Sequence, residues 1–329
     1  MGFLRRLGAA RVDGFVLAII VAAALASIFP APGTADNVLT WVTRISVGVL
    51  FFLYGARLSP REALDGVKHW RLHTVVLGTT YLLFPLIGLA LRILAPTILT
   101  DDLYTGILYL CLVPSTIQSS IAFTSIARGN VAGAVVSASL SNILGVFLTP
   151  LLVILLMNTS GQATVGTSAI VAILLQLLAP FVLGQLLRPL ISGWLARHSA
   201  PTKIVDRGSI LLIVYSAFSA SMNQGVWSSV SPWRIVAVVA VCAVLLAVIL
   251  TITWLIARWL KFDRADRIVI QFCGSKKSLA SGLPMASVLF VGQPIGLIVL
   301  PLLIFHQIQL IVCAVLAGRY ERAAGTSQS

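Results

Sequence analysis

Two adjacent lysines stand out in this sequence because of where they lie. Lys276 and Lys277 are inside a long apolar stretch, about nine residues after Arg267. If that stretch is a membrane helix, a rise of ~1.5 Å per residue places them roughly 14 Å deep. A lysine at the centre of a bilayer costs roughly 2.5–3.5 kcal/mol on insertion scales. We therefore expect both side chains to face a polar cavity, unless a loop gives the pair access to water.

No acidic residue is placed to neutralise these lysines inside a membrane. The ten Asp and Glu residues all fall at the ends of the apolar stretches or between them. The counter-charge must then come from an anionic substrate, from carbonyl groups at a helix end or from water, unless desolvation keeps the lysines neutral. The acidic residues are Asp13, Asp36, Glu62, Asp65, Asp101, Asp102, Asp206, Asp263, Asp266 and Glu321.

Two polar segments interrupt apolar stretches about half a chain apart. Residues 113–120 contain Pro114, and residues 273–284 contain Gly274, which follows Pro114 by 160 positions. Backbone groups freed by a break at membrane depth must be satisfied by protein or by water in a cavity. Paired broken helices in inverted halves indicate the binding site of a transporter. The alternative is that Pro and Gly only kink these helices.

Polar residues in the fifth and tenth apolar stretches flank the two breaks and extend the candidate site. Gln309 also lies in the tenth stretch, and Thr80 and Arg44 are further intramembrane polar groups, although Arg44 could snorkel outward. No catalytic set, metal site or cofactor is expected. The candidate substrate- and ion-binding residues are Ser115, Thr116, Gln118, Ser119, Ser120, Ser137, Ser139, Asn142, Gly274, Ser275, Lys276, Lys277, Ser278, His306 and Gln307.

The composition indicates which elements position these residues. Hydrophobic residues make up 58% of the 329 and charged residues 10%, too few to cover a water-facing surface. Mean hydropathy is +1.00. We predict an all-α integral membrane protein, a single domain with ten transmembrane helices in two inverted five-helix repeats, about 12–158 and 166–319. The apolar stretches run roughly 13–29, 38–57, 72–94, 104–127, 131–157, 167–188, 208–224, 233–257, 267–290 and 294–318.

The basic residues alternate between the links in a way that predicts orientation. With a cytoplasmic N-terminus, eighteen of the 23 Lys and Arg lie inside, and only Arg92 and Arg234 lie outside. The net charge of +13 is therefore attributed to cytoplasmic loops beside anionic lipid rather than to nucleic-acid binding. Arginines before the first stretch and the sequence of residues 24–26 leave a signal peptide open, but the repeat requires that stretch as a span.

The sequence resembles the bile acid:sodium symporter family, in the branch of sodium-dependent transporters that includes solute carrier family 10 member seven. The resemblance covers nearly all ten stretches. It implies a core domain and a panel domain, with crossed broken helices at spans four and nine that bind two sodium ions in typical members. The segments that carry it are residues 114–120, 127–132, 148–151 and 272–286, with weaker support from residues 54–55 and 58–60.

The chain departs from the family at the residues that would bind sodium. Typical members use a glutamate and a glutamine in the ninth span and a Ser-Asn pair in the fourth. Alignment on Gly274 places Phe272 at the glutamate and Lys276 at the glutamine, and the pair becomes Ser119-Ser120. The departure argues against sodium coupling and against bile acid as the substrate.

We therefore expect a secondary transporter of a small organic anion that works by alternating access, with sodium or a proton as candidate coupling ion. The alternative is a non-transporting membrane regulator linked to calcium homeostasis, an association of the family branch. An intramembrane enzyme is disfavoured, because the sequence has no membrane Asp pair and no HExxH motif. We expect a plasma membrane location (the inner membrane in a bacterium), cytoplasmic termini, and an anionic solute and lipids as partners.

Overall fold

A computed structural model describes residues 14–57, 69–157, 167–225 and 230–325, and this part of the chain is helical, without β-strands. Short turns join the helices, and two pairs, α4–α5 and α10–α11, are separated by only a few extended residues. The helices are α1 Gly14–Ile28, α2 Gly33–Arg57, α3 Trp70–Leu94, α4 Asp101–Leu112, α5 Ile117–Ile126, α6 Val131–Met157, α7 Thr167–Arg197, α8 Ser199–Asn223, α9 Pro232–Trp259, α10 Arg264–Ser275, α11 Leu279–Leu289 and α12 Ile295–Gly325.

Seven of the described helices are long and apolar enough to cross a membrane, namely α2, α3, α6, α7, α8, α9 and α12. The pair α4 and α5, bent by 60° at its break, is apolar enough when taken together and makes an eighth span if it crosses the membrane as one unit. The chain is therefore a multi-pass membrane protein. Helix α1 and the pair α10–α11 occupy the predicted stretches 13–29 and 267–290, and the ten-span inverted repeat remains a proposal.

The region between the sixth and seventh predicted spans differs from the expected polar link. Helix α7 continues to Arg197, and α8 begins at Ser199. Asp206, expected outside the helices, lies in α8 and forms an ion pair with Arg57. The apolar pattern marks only the part of a helix that meets lipid, whereas backbone hydrogen bonding continues beyond it, and the sequence-based ends were therefore too short at this link.

The chain divides into two compact units, each assembled from separate segments. The first comprises residues 1–57, 172–229 and 283–296, and the second comprises residues 58–171, 230–282 and 297–329. In the first unit, α8 packs along α1 and α2. In the second, α10 packs against α3, α5, α6 and α9. Both helix breaks lie in the second unit.

Candidate functional site

The two helix breaks of the second unit lie against each other and exchange hydrogen bonds. The amide of Ser278 donates to the carbonyl of Pro114 at 2.8 Å. The Thr116 hydroxyl donates to the Lys277 carbonyl at 2.7 Å. Each break thus satisfies backbone groups that the other has lost from its helix, as non-helical backbone at membrane depth requires.

Lys277 fills the centre of this arrangement and is fully buried. Its ammonium donates to three carbonyl oxygens, those of Thr80 at 3.0 Å, Cys111 at 2.9 Å and Val113 at 2.8 Å. The ring of Phe84 lies 4.1 Å away, at cation–π distance. The side chain therefore has a complete set of partners inside the protein.

Two features of the backbone make these carbonyls available. Cys111 and Val113 lie at the C-terminus of α4, where carbonyls have no intrahelical donor and the helix dipole favours a cation. Thr80 lies in a π-helical turn, Thr79–Leu83, where the normal hydrogen-bond register of α3 is interrupted. Of the sources of counter-charge left open by the sequence, the structure contains the carbonyl groups of a helix end.

The number of acceptors indicates the protonation state of Lys277. An ammonium has three N–H donors, whereas a neutral amine has two and a lone pair. Three carbonyl oxygens at 2.8–3.0 Å from one nitrogen match the ammonium, because a lone pair would face one oxygen of the three. The arrangement is thus a cation site of carbonyl oxygens that a side chain of the protein occupies.

Lys276 is equally buried but has a different environment. Its ammonium donates to the carbonyl of Ser119 at 2.8 Å. The ring centres of Phe123 and Phe272 lie 3.9 and 5.3 Å from the nitrogen. The Ser119 hydroxyl is buried without a hydrogen-bond partner among the described residues. Donors therefore outnumber acceptors around Lys276.

The backbone from residue 111 to residue 115 has a donor for every carbonyl. Ser115 is additionally fixed by its own hydroxyl, which donates to the Cys273 carbonyl at 2.6 Å. Because every carbonyl of this non-helical segment accepts a hydrogen bond, the segment can be stable at membrane depth. The donors, in chain order of the carbonyls, are Lys277 to Cys111, Thr149 to Leu112, Lys277 to Val113, Ser278 to Pro114 and Asn142 to Ser115.

Helix α12 contributes Gln309, whose side chain bonds the backbone of the second break, between α10 and α11. The Gln309 amide accepts from the Lys277 amide and donates to its carbonyl, both at 2.9 Å. His306 lies one turn earlier, with Nδ1 2.9 Å from the Gln309 nitrogen. The amide nitrogen of Gln307 is buried without a partner in the described part of the chain.

Helix α6 supports both breaks through one residue. Asn142 donates to the Ser115 carbonyl at 2.7 Å and accepts from the Ser281 hydroxyl at 2.8 Å. Ser281 in turn lies 3.1 Å from the Ser278 hydroxyl. Asn142 thereby couples the start of α5 to the start of α11.

The remaining candidates are placed near the breaks with differing contacts. Ser137 is buried and pairs with His73 at 2.7 Å. Ser120 donates to the Phe272 carbonyl at 3.3 Å. Gln118 is exposed on α5. Ser139, Gly274 and Ser275 are buried in α6 and α10.

Some site residues were absent from the candidate set. Gln309 lies outside the candidate residues, although its position one turn after His306 predicts that both side chains lie on the same face of α12. Ser281 follows Ser278 by one turn and carried the same signal. The aromatic rings around the lysines gave no sequence signal, because a Phe in an apolar stretch is ordinary.

Comparison with known proteins relates nearly the whole chain to a family of transporters. The profile described as the SBF-like CPA transporter family matches residues 13–322. An uncharacterized protein of Pseudomonas aeruginosa is 53% identical over 311 residues, which cover 94% of this chain and 93% of that protein. The Escherichia coli K12 protein named "Putative symporter YfeH" is 49% identical over 310 residues, covering 94% and 93%. Sodium/bile acid cotransporter 7-A of Xenopus laevis is 30% identical over 322 residues, covering 96% and 93%.

Proposed function

The chain belongs to the SBF-like CPA transporter family, and from this premise we propose that it carries a small organic anion across the membrane by alternating access without a sodium ion. It is a multi-pass membrane transporter of the bile acid:sodium symporter type, not an enzyme. The observation that carries the finer proposal is a pair of buried lysines at the helix breaks. Neither forms an ion pair with an acid among the described residues.

Lys277 supports the absence of sodium at this site. Its ammonium occupies a position lined by three carbonyl oxygens, the kind of group that coordinates alkali cations in transporters. A sodium ion within about 4 Å of this fixed charge would be repelled by ~4 kcal/mol at an effective dielectric near 20, roughly a thousandfold in affinity. We propose that the lysine replaces the coupling cation.

Lys276 supports an anionic substrate. Its ammonium has one carbonyl acceptor among the described residues, and the neighbouring Ser119 hydroxyl has none. A bound anion would supply the missing acceptors when the site opens. If Lys276 is neutral in part of the cycle, it could instead carry a proton, and the two possibilities differ in the pH dependence of uptake.

The transport cycle requires parts that move relative to one another. We propose that the first compact unit is the panel domain and the second the core domain, within ten spans arranged as two inverted repeats. The termini would be cytoplasmic and the membrane the plasma membrane, or the inner membrane of a bacterium. Lipids would surround the exposed apolar side chains of the spans.

The first experiment identifies a ligand and its dependence on sodium. Purified protein is screened by thermal unfolding against a set of anionic metabolites, in sodium chloride and in choline chloride. A ligand that binds the folded state raises the unfolding midpoint. We expect anions to raise it equally in both salts. An anion effect that needs sodium would contradict the proposal.

The second experiment measures transport of the best ligand into proteoliposomes at fixed pH and membrane potential. We expect uptake to persist when choline or potassium replaces sodium. Lys276→Gln should impair uptake because it removes the proposed partner of the anion, whereas Lys203→Gln, which changes an exposed lysine in α8, should leave uptake unchanged. Wild-type uptake that vanishes without sodium, or the absence of any flux, would show that the proposal is wrong.

A further inference from the structure

The first compact unit contains a cavity of its own, and we propose that it binds a small carboxylate through Arg44. The cavity measures about 130 Å³ and is lined by residues of α2, α7, α8 and the segment 287–295. Among the described residues that line it, Arg44 is the one ionisable residue. The site shares no residue with the lysine cluster of the second unit and does not depend on the transport proposal.

Arg44 lies deep in an apolar helix without an acidic partner among the described residues. The residue lies eleven positions after the start of α2 at Gly33, roughly 16 Å along the helix axis. Its side chain is exposed, and an arginine this far into an apolar span is costly and is by default the basis of a functional-site hypothesis. Its guanidinium lies 5.4 Å from the Trp41 ring, and it forms no ion pair among the described residues.

A buried hydroxyl in the same cavity provides a second, independent observation. Thr43 is 6% exposed and lines the cavity, and its hydroxyl has no hydrogen-bond partner among the described residues. Nearly all buried polar groups in proteins have such a partner. A carboxylate held by Arg44 would provide a hydrogen-bond acceptor for the hydroxyl of the adjacent residue, Thr43.

The rest of the lining defines the class of ligand. The amides of Gln176 and Gln224 add polar groups that can donate to a carboxylate, and the described lining residues include no acid that would repel one. Val47, Ile213 and Val288 provide apolar walls. A small carboxylate with an apolar body matches this lining, and benzoate is a convenient probe of that class.

Binding of benzoate to the detergent-purified full chain tests the proposal. The readouts are the unfolding midpoint and tryptophan fluorescence, since Trp41 adjoins Arg44. We expect benzoate to raise the midpoint and benzamide, its neutral counterpart, to have little effect. Arg44→Gln should weaken benzoate binding at least ~tenfold, because a hydrogen bond to a charged group is lost. Arg44→Lys should keep part of the affinity.

Two further variants test whether benzoate binds in the Arg44 cavity rather than elsewhere on the protein. Thr43→Val preserves shape and should also weaken binding, by roughly threefold to tenfold. Arg234→Gln removes another guanidinium that lies over a tryptophan, Trp233, but outside the cavity lining, and should leave binding unchanged. Benzoate binding that is lost in Lys276→Gln and retained in Arg44→Gln would overturn the proposal.

A lipid phosphate is the other source of an anion that Arg44 could hold. The titration is therefore repeated in nanodiscs of phosphatidylcholine and of phosphatidylglycerol. Equal benzoate affinities in the two support a free carboxylate as the ligand. A loss of affinity confined to phosphatidylglycerol, and absent in Arg44→Gln, would mean that a lipid headgroup occupies the cavity and would overturn the assignment.

Discussion

The two lysines are neighbours in sequence, but their side chains lie in distinct chemical environments. Lys277 uses all three donors on backbone carbonyls and cannot hold a substrate without giving one up. Lys276 has a single carbonyl acceptor and lies against aromatic rings, an environment that holds a cation while leaving donors unfilled. The first is suited to a fixed charge and the second to a ligand or proton.

Removal of the Lys277 side chain should turn its position into a cation site. Lys277→Ala leaves three buried carbonyls without donors, each costing about 1–3 kcal/mol, around a space the size of an ammonium. We expect the variant to unfold at a lower temperature than wild type and to regain a few degrees in sodium or potassium chloride relative to choline chloride. Lys276→Ala, which frees one carbonyl, is the control and should not respond. Equal responses of both variants would contradict a carbonyl-lined site.

The two glutamines of α12 form a matched pair for a stability test. Gln309→Leu removes both hydrogen bonds to the Lys277 backbone and should destabilise the protein by about 2–4 kcal/mol. Gln307→Leu removes an amide nitrogen that is already without a partner in the described chain, and should be neutral or stabilising. Thermal unfolding in detergent measures both, and a larger loss for Gln307→Leu would refute this account of the site.

At the scale of elements, α2 and α7 of the first unit cross where glycine allows backbone contact. A Cβ atom on Gly55 would lie 2.1 Å from the Phe181 carbonyl oxygen, and one on Gly184 would lie 2.1 Å from that of Phe52. Small residues at such crossings let membrane helices approach closely. The contact is reciprocal, so each helix contributes one glycine.

Alanine substitutions should distinguish these glycines from others on the same helices. Gly55→Ala and Gly184→Ala must displace backbone and should each cost at least 1–3 kcal/mol. Gly48→Ala in α2 and Gly193→Ala in α7 meet nothing within 4 Å and should be neutral or gain up to about 1 kcal/mol. The midpoints of thermal unfolding give the comparison. Similar effects at all four positions would show that the crossing is not close in the native protein.

The element scale also shows what sequence could and could not predict. Pro114 and Gly274 marked both helix breaks, because Pro and polar residues in an apolar stretch have a direct effect on helix formation. The π-helical turn at 79–83 has no such signature, since its residues would also fit an α-helix. The sequence therefore drew attention to Thr80 as a polar residue but did not predict that its carbonyl is one of the three that accept from Lys277. Gln118 is exposed on α5, and its place in the binding site stays a prediction, because the direction of its side chain depends on how α5 starts.

At the scale of the whole molecule, the distribution of charge and the contacts between links both indicate which side of the membrane each link lies on. Eighteen Lys and Arg fall in links predicted to be cytoplasmic, and two in links predicted to be outside. Several contacts join links assigned to the cytoplasmic side. Arg57 at the end of α2 pairs with Asp206 near the start of α8, and Arg71 donates to the Leu260 carbonyl. Each contact requires its two links to lie on one side.

Both termini should therefore be cytoplasmic, and the link at 158–166 should be external. Arg264 donates to the carbonyls of Tyr320 and Ala127, which ties the last helix to two links predicted to be inside. Basic links resist transfer across the membrane, so the whole pattern specifies one orientation. A cytoplasm-active reporter fused after Ser329 should be active, and the same reporter inserted at 158–166 should be silent. A periplasm-active reporter at the two positions is the control and should give the reverse pattern. With a cytoplasmic N-terminus, an external C-terminus would require an odd number of spans, and the five-plus-five inverted repeat, with its paired helix breaks, would then be wrong.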